Sequence, residues 1–262
     1  MSQHVGTPSF QFARVIAALV VREMTTKYGR FAGGYFWAVF NPVAAIALMT
    51  TLFSLVLRTP QLGHNFALFY ATGFMAISVY SEITSDVSGA VRFNRPLLQF
   101  PAVTPIDTLI ARLILSFLTQ VVVCVIVFVG IVLLYDVDVN LKLDLVALAF
   151  LMAASIGLGW GALNIVLFAY FPVWERIWIV VNRPLFLISG VFYTYESLPP
   201  EFQAALWFNP IAHAGGMFRS GFYGVYDAPW VSPVYVFAMG LGLLIVGLWL
   251  LRQNASDVVN AQ

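Results

Sequence analysis

The sequence predicts an all-α integral membrane protein, and its composition and apolar pattern are the reasons. Of 262 residues, 61% are hydrophobic and 10% are charged, and the mean hydropathy is +0.88. A soluble domain carries about 25% charged residues, so this chain has too few polar side chains to cover a globule in water. Six continuous apolar stretches, each about 20 residues long, match the thickness of a bilayer. Their continuity excludes a β-barrel, whose strands alternate apolar and polar residues.

Each apolar stretch is expected to be a helix, because an isolated strand in lipid would leave its backbone N–H and C=O groups unpaired. The six expected spans run from Trp37 to Leu57, Phe66 to Ile83, Leu113 to Tyr135, Leu145 to Phe171, Ile177 to Tyr195, and Val231 to Leu251.

The basic residues predict the orientation, since Lys and Arg are retained on the cytoplasmic side. With the N-terminus inside, ten of the thirteen lie at the cytoplasmic side: Arg14, Arg22, Lys27, Arg30, Arg92, Arg95, Arg112, Arg176, Arg183 and Arg252. Both termini are therefore expected in the cytoplasm. The chain is expected to form one membrane domain, with a cytoplasmic interface helix over 1–34, six helices over 35–252 and a cytoplasmic tail over 253–262.

The segment before the first span has the 3.6-residue period of an amphipathic helix, from Phe10 to Lys27. Arg14 and Arg22 lie on its polar face, and Ile16 and Leu19 lie on its apolar face. Such a helix lies in the membrane interface with its apolar face among acyl chains. A lipid-surface anchor without a further role is the alternative interpretation.

The internal connection from Val87 to Pro105 is basic, aromatic and rich in proline. Its three prolines confine any helix to short pieces, because each one removes an N–H and restricts the residue before it. A short, stiff element of this kind suits docking to another protein. A solvated loop with ordinary cytoplasmic arginines is the alternative.

The external connection from Glu196 to Trp230 contains an apolar run, Phe202 to Ile211, that is too short to cross the bilayer. Membranes tolerate broken helices only where protein buries the interrupted backbone. The pattern therefore predicts re-entrant or interfacial helices between spans five and six that pack against the bundle.

The residue types needed for several kinds of chemistry are missing. The three histidines are far apart in sequence, no G-x-S-x-G occurs, and the single cysteine, Cys124, lies in an apolar run, so we expect no catalytic residue and no metal site. Neither Lys27 nor Lys142 follows a glycine, so a P-loop for ATP is absent. A net charge of +1 gives no reason to expect nucleic acid as a partner. Any source of energy must be a separate polypeptide.

Aromatic side chains with polar tips occur in or near the spans. An aromatic belt at the two membrane interfaces explains most of them. The remainder could line a path for a sugar, because aromatic faces stack on sugar rings.

Three blocks of sequence resemble the membrane subunits of type-2 ATP-binding-cassette exporters, in particular the capsular polysaccharide export permeases and the related O-antigen permeases. The blocks are Arg22-Glu23 with Lys27-Tyr28-Gly29-Arg30, Gly34 to Trp37 and Asn41-Pro42; Asn94 to Leu98 with Thr104 to Asp107; and Arg183 to Tyr193 with Leu198 to Pro200, Asn209-Pro210 and Arg219. The resemblance covers nearly the whole chain.

The resemblance implies a homodimer in the bacterial inner membrane that pairs with two ATPase subunits, which hold ATP and Mg, while this chain holds no cofactor. The substrate implied is a lipid-linked capsular polysaccharide, and a periplasmic co-polymerase or export protein is a further possible partner. By resemblance, Arg22, Arg92, Phe93, Asn94, Arg95 and Pro96 couple to the ATPase. Arg14, Lys27 and Arg30 are expected to attract an acidic substrate at the cytoplasmic entrance, because basic surfaces attract anionic groups, although they serve the topology equally well. Trp37, Tyr70 and Tyr193 are candidates for the glycan path, and Phe202, Trp207, Asn209 and Pro210 for the re-entrant gate.

Other functions stay open at this point. The same architecture could export O-antigen or another lipid-linked glycan, or a small amphipathic drug or lipid. An intramembrane enzyme that modifies lipids is a third class, but it needs a polar catalytic cluster that the spans do not offer.

Overall fold

The computed structural model describes residues 8–28, 34–56, 59–100, 103–137 and 139–261. Within these ranges the chain forms eleven α-helices and no strand. The helices are α1 (Pro8–Tyr28), α2 (Gly34–Val56), α3 (Phe66–Ser88), α4 (Ala90–Asn94), α5 (Pro105–Tyr135), α6 (Leu143–Tyr170), α7 (Pro172–Ile188), α8 (Pro200–Trp207), α9 (Pro210–Phe222), α10 (Pro233–Gln253) and α11 (Ala255–Ala261). The sequence therefore predicted the all-α fold correctly.

Helices α3 and α6 form the centre of the bundle, and glycines let α6 approach its neighbours closely. A Cβ at Gly157 would lie 2.8 Å from the backbone oxygen of Tyr80 on α3. On the other side, a Cβ at Gly240 of α10 would lie 2.8 Å from the backbone oxygen of Ser155 on α6. Small residues at such positions allow dispersion contacts between backbones, which hold helices together where the lipid is as apolar as the protein.

Five helices are long and apolar enough to cross a membrane, namely α2, α3, α5, α6 and α10. The remaining expected span, Ile177 to Tyr195, is the fifth along the chain and corresponds to α7, which has 17 residues. The prediction that this span continues to Tyr195 is wrong, because α7 ends at Ile188. The physical reason is the turn at Ser189 and Gly190, where Gly190 has a φ of 75°, a conformation that a helix cannot continue through. Six spans stay a prediction.

The two ends of the bundle are built differently. At one end, here called the α1 end, α1 packs chiefly against α5, and α4 and α11 lie nearby. Helix α1 confirms the helix expected from Phe10 to Lys27, and it buries Ile16 and Leu19. At the opposite end, here called the α8 end, α8 and the first residues of α9 follow the turn after α7.

The connection from α3 to α5 has the broken form that its prolines predict. Helix α4 has five residues, and the chain then turns before α5 begins at Pro105. The start of α5 is a capping box, in which the Thr104 side chain accepts a hydrogen bond from the Asp107 N–H and the Asp107 carboxylate accepts one from the Thr104 N–H. The cap satisfies backbone donors that would otherwise be unpaired at this end of the helix.

The tail is helical rather than extended. Helix α11 follows α10 after one residue, Asn254, and buries Val258 completely. Its neighbours are α6 and α4. The C-terminal segment is thus packed against the α1 end of the bundle.

Candidate functional site

A buried polar network joins α1, α4 and α5, and we call it the α1–α4 junction. Its members are Arg22, Glu23, Asn94 and Arg112. Arg22 Nη1 donates a hydrogen bond of 2.7 Å to Asn94 Oδ1, and Asn94 Nδ2 donates to Glu23 Oε1. Glu23 also forms an ion pair of 3.0 Å with Arg112, and both side chains are less than one-tenth exposed. The network fixes the position of α1 on the bundle.

The local sequence around α4 explains why Asn94 can reach α1. Asn94 is the last residue of the short helix, is 1% exposed, and donates a second hydrogen bond of 3.0 Å back to the Ala90 carbonyl. Gly89 leaves room for the Phe93 ring, since a Cβ there would lie 2.9 Å from that ring. The Arg112 guanidinium in turn lies 4.4 Å from the centre of the Phe93 ring, a cation–π contact.

The other predicted coupling residues form an exposed rim around this junction. Arg92, Phe93, Arg95 and Pro96 are all exposed. Arg92 forms an ion pair of 2.8 Å with Glu175 of α7, and Arg95 Nη2 donates a hydrogen bond of 3.3 Å to the Asn260 carbonyl of α11. The structure therefore brings all six predicted coupling residues together, with Asn94 buried, Arg22 half-buried and the other four at the surface.

The three predicted entrance residues differ in their placement. Arg14 is exposed on α1. Lys27, near the end of α1, forms an ion pair of 2.6 Å with Asp86 of α3 and so adds a further link between the two helices. Arg30 lies outside the described residues.

A polar groove runs beside the junction, and we call it the α3–α7 groove. It is a cavity of about 450 Å³ between α3, α4 and α7. Its polar lining consists of Ser81, Thr84, Ser85, Ser88, Arg92, Glu175, Asn182 and Arg183, and Phe93 and Trp178 are among its aromatic residues. Hydroxyl, guanidinium and indole groups together can bind a hydrated, anionic or sugar-containing ligand.

The structure separates the three residues predicted for a glycan path. Trp37 lies in the first turn of α2, at its α1 end, and is 54% exposed beside Phe40. Tyr70 lies near the opposite end and is 2% exposed, because the rings of Phe53 and Phe66 pack around it. Tyr193 is half-buried in the turn after α7. In this conformation Tyr70 is inside the protein and Trp37 is at its surface.

The predicted gate residues lie where α7, α8 and α9 meet. Asn209 caps α9 by accepting a hydrogen bond from the Ile211 N–H, while its Nδ2 donates to the Ile188 carbonyl at 3.1 Å. Pro210 occupies the first turn of α9, where its missing N–H costs nothing. Trp207 stacks on Tyr235 of α10, whereas Phe202 is 63% exposed on α8. The structure describes two helices joined by a short turn.

Helix α9 is packed into the bundle, as expected for a helix too short to span. Eleven of its residues are buried, and its neighbours are α3 and α6. The expectation that this segment packs against the bundle is confirmed. That α8 and α9 enter the membrane and turn back stays a prediction.

Arg219, which the sequence singled out only as part of a family-like block, is buried in the structure. Its Nη2 donates a hydrogen bond of 2.6 Å to the Gly190 carbonyl, and its Nη1 donates one of 2.8 Å to the Tyr193 carbonyl. The guanidinium also lies 4.6 Å from the centre of the Phe69 ring. Burial lowers the pKa of Arg219. This side chain holds the turn that ends α7, and only the position of that turn in space could have revealed it.

His213 is a second buried polar residue that the sequence did not identify. It is completely buried, its Nε2 donates to the Trp207 carbonyl at 2.7 Å, and its Nδ1 accepts a hydrogen bond of 3.1 Å from the Ser232 N–H. This pattern is that of the neutral imidazole, since Nδ1 must carry a lone pair. Burial accordingly lowers the pKa of His213. His213 therefore links the end of α8 to the start of α10.

Within the part of the chain that the structure describes, no group of three or more His, Cys, Asp and Glu side chains could hold a metal ion.

An apolar helical bundle with a polar groove and a buried polar junction at one end has the form of a membrane transport protein. The chain belongs to the ABC-2 type transporter family, whose sequence model matches residues 14–223. It is 26% identical over 245 residues to the capsule polysaccharide export inner-membrane protein CtrC of Neisseria meningitidis. The matched region covers 94% of this chain and 92% of CtrC. It is 27% identical over 247 residues to the polysialic acid transport protein KpsM of Escherichia coli, with 94% and 95% covered.

Two further relatives show how much of this chain is similar to known transport proteins. The capsule polysaccharide export inner-membrane protein BexB of Haemophilus influenzae is 27% identical over 247 residues, with 94% of this chain and 92% of that protein covered. The inner membrane transport permease YadH of Escherichia coli is 33% identical over 118 residues, 45% of this chain and 43% of YadH. The similarity to the capsule exporters thus extends over nearly the whole chain, whereas that to YadH covers less than half.

Proposed function

We propose that this chain is the inner-membrane permease subunit of an ATP-driven exporter of lipid-linked capsular polysaccharide. The observation that carries the proposal is the similarity of this chain, a member of the ABC-2 type transporter family, to capsule exporters over 94% of its length. The chain itself has no P-loop, so ATP and Mg bind to a separate ATPase subunit.

The α1 end of the bundle is the cytoplasmic end in this proposal. Arg14, Arg22, Arg92 and Arg95 all lie on α1, α4 or the residue after α4. Basic residues near the ends of spans are retained in the cytoplasm. Both termini are then cytoplasmic, and the α8 end faces the periplasm, where the exposed Phe202 and Phe208 offer a surface to a periplasmic export protein.

The exposed rim around the α1–α4 junction is the contact surface for the ATPase. A stiff element transmits force only if its neighbours hold it, and here Asn94 is hydrogen-bonded to α1 while Arg92 is paired with α7. Movement of the rim would therefore move α1 and α7 together. The six coupling residues act as one unit in this proposal.

Two copies of the chain enclose the transport path. The α3–α7 groove carries Arg92, Glu175 and Arg183 on a surface of a membrane protein. Charged and polar side chains are costly against hydrocarbon, so they face protein or a water-filled cavity. A second copy placed over the groove converts it into a shared, hydrated path for the glycan.

The proposal is tested by charge reversal in the rim. Arg95→Glu should abolish surface polysaccharide while the protein still inserts, because the ATPase loses a basic contact. The matched control is Arg252→Glu, which changes another exposed arginine, on α10, by the same charge. Surface polysaccharide is measured by antibody binding to intact cells, and insertion by protein level in the membrane fraction. If the Arg95→Glu variant exports as much polysaccharide as the wild type, the proposed ATPase contact surface is contradicted. If a strain that lacks this chain still makes a normal capsule, the proposed export function is contradicted.

A further inference from the structure

A second polar cavity, of about 440 Å³, lies between α2, α3 and α5. Its polar lining includes Asn41, Ser78, Glu82, Thr119 and Gln120, and Phe74 forms part of its wall. None of these residues lines the α3–α7 groove, so the two cavities are distinct. The volume is within the range of about 300 to 1,000 Å³ in which proteins bind small molecules.

Gln120 is the feature that points to a ligand. It is 5% exposed and lines the cavity, and its Oε1 has no hydrogen-bond partner in the part of the chain that the structure describes. A buried carbonyl oxygen without a donor is costly, and native proteins rarely tolerate one unless something else donates to it. The missing partner must be a hydrogen-bond donor.

The remaining groups of the cavity define that donor more closely. The Glu82 carboxylate accepts hydrogen bonds only, whereas the Asn41 and Gln120 amides can both donate and accept. Lys27, at the edge of the cavity, is held by both carboxylate oxygens of Asp86 at 2.6 and 2.7 Å. The net charge around the cavity is therefore not positive, which disfavours a phosphate or a carboxylate as ligand.

We propose that this cavity binds one uncharged, hydroxyl-rich sugar ring of the exported glycan. Hydroxyl groups donate to Gln120 Oε1 and Glu82 and accept from Asn41, and the apolar face of a sugar ring packs on Phe74. The inference rests on the proposed function, because the sugar is part of the polymer that the exporter carries. It adds a specific site and a specific property of the ligand, namely the absence of charge on the bound ring.

The experiment measures ATP hydrolysis by the purified complex of this chain and its ATPase subunit in lipid nanodiscs. The probe is the lipid-linked polysaccharide extracted from membranes of the native host, and the same extract with the glycan removed by hydrolysis is the blank. The measured quantity is the glycan concentration that gives half-maximal stimulation.

Gln120→Leu and Glu82→Gln should each raise that concentration about tenfold, which corresponds to about 1.4 kcal/mol of binding free energy. The matched control is Ser116→Ala, one helical turn from Gln120 on the same buried face of α5 but not in the cavity lining. It should leave the concentration unchanged. Gln120→Leu should also keep or raise the thermal stability, since it removes an unpaired carbonyl, so weaker glycan binding cannot be ascribed to unfolding.

Three results would overturn the inference. Half-maximal concentrations within twofold of wild type for both variants would exclude a sugar at this site, although export and the proposed function would stand. A lower concentration for Glu82→Gln would mean that the bound ring is anionic. If neither the glycan nor the stripped extract stimulates ATP hydrolysis by the wild-type complex, the proposed function is overturned and the proposed sugar site with it.

Discussion

At the scale of single residues, the α1–α4 junction depends on groups that are charged and yet buried. Glu23 and Arg112 lie 3.0 Å apart, with side-chain exposures of 4% and 9%. Taking two charges out of water is expensive, and only close pairing with further hydrogen bonds compensates. Asn94 and the Phe93 ring supply those additional contacts. The pair is thus part of a network rather than an isolated salt bridge.

Removing one partner of this pair should destabilise the protein strongly. Arg112→Met leaves the Glu23 carboxylate buried without its cation, so we expect a loss of about 3 to 5 kcal/mol in the free energy of unfolding. Thermal unfolding of the purified chain in detergent measures the effect.

The exposed pair between Arg92 and Glu175 provides the control. Glu175→Gln should cost less than about 1 kcal/mol, because solvent screens the exposed pair. The double variant Glu23→Gln with Arg112→Met should be more stable than the sum of its single changes predicts. Equal losses for Arg112→Met and Glu175→Gln would contradict a junction held by buried charge.

At the scale of helices, the bundle is held together by close backbone approach around α6. Gly157 meets α3 and Gly159 meets α10, so the two glycines lie on different contact faces of one helix. Since lipid gives no hydrophobic force between helices, packing at these points is a main source of stability.

A methyl group at Gly157 should therefore be costly, whereas one at Gly130 should not. A Cβ at Gly157 would lie 2.8 Å from the Tyr80 oxygen, but a Cβ at Gly130 of α5 meets no atom within 4 Å. We expect Gly157→Ala to lower stability by about 1 to 3 kcal/mol. Gly130→Ala should leave stability unchanged or raise it by up to about 1 kcal/mol, because alanine favours the helix. Melting temperatures of the two variants measure the difference, and equal values would contradict this account of the packing.

At the scale of the whole molecule, two polar cavities border the central helix α3. The α3–α7 groove includes two arginines and Glu175, whereas the second cavity, which Gln120 lines, includes one cation, Lys27, and Glu82. Their charges differ, so they suit different parts of one polymer. In the proposed dimer, a second copy shields the α3–α7 groove from lipid.

Cross-linking tests the shared groove. Ile179 lines the groove and is 52% exposed, while Val125 of α5 is 55% exposed and lies outside it. In a background with Cys124→Ala, Ile179→Cys should form a disulfide-linked dimer on oxidation, because facing grooves bring the two residues within the Cα distance of about 4.4 to 6.8 Å that a disulfide needs.

Val125→Cys should remain monomeric under the same conditions. Electrophoresis without reducing agent separates the two species. Dimer formation through Val125→Cys alone would place the contact on the α5 face and contradict the proposal.

The comparison of expectation with structure follows a physical pattern. The amphipathic period of α1, the prolines around α4 and five of the six apolar runs are local signals, and the helices that they predicted are present. The end of α7 was wrong, because apolar residues continue through the turn at Gly190 and hydropathy does not detect a change of backbone direction. Arg219, which stabilises that turn from 29 residues away, gave no local signal.

The sequence by itself determined that the chain is a helical membrane protein, where most helices lie, and which family it resembles, because hydropathy, helical period and motif spacing are properties of neighbouring residues. Only the tertiary structure decided which polar groups meet: Glu23 with Arg112, Arg219 with the turn after α7, and Gln120 with a cavity rather than a partner. Those pairings depend on the contact of distant helices. The cost of burying a polar group, which depends on its surroundings in space, then makes them decisive for stability and function.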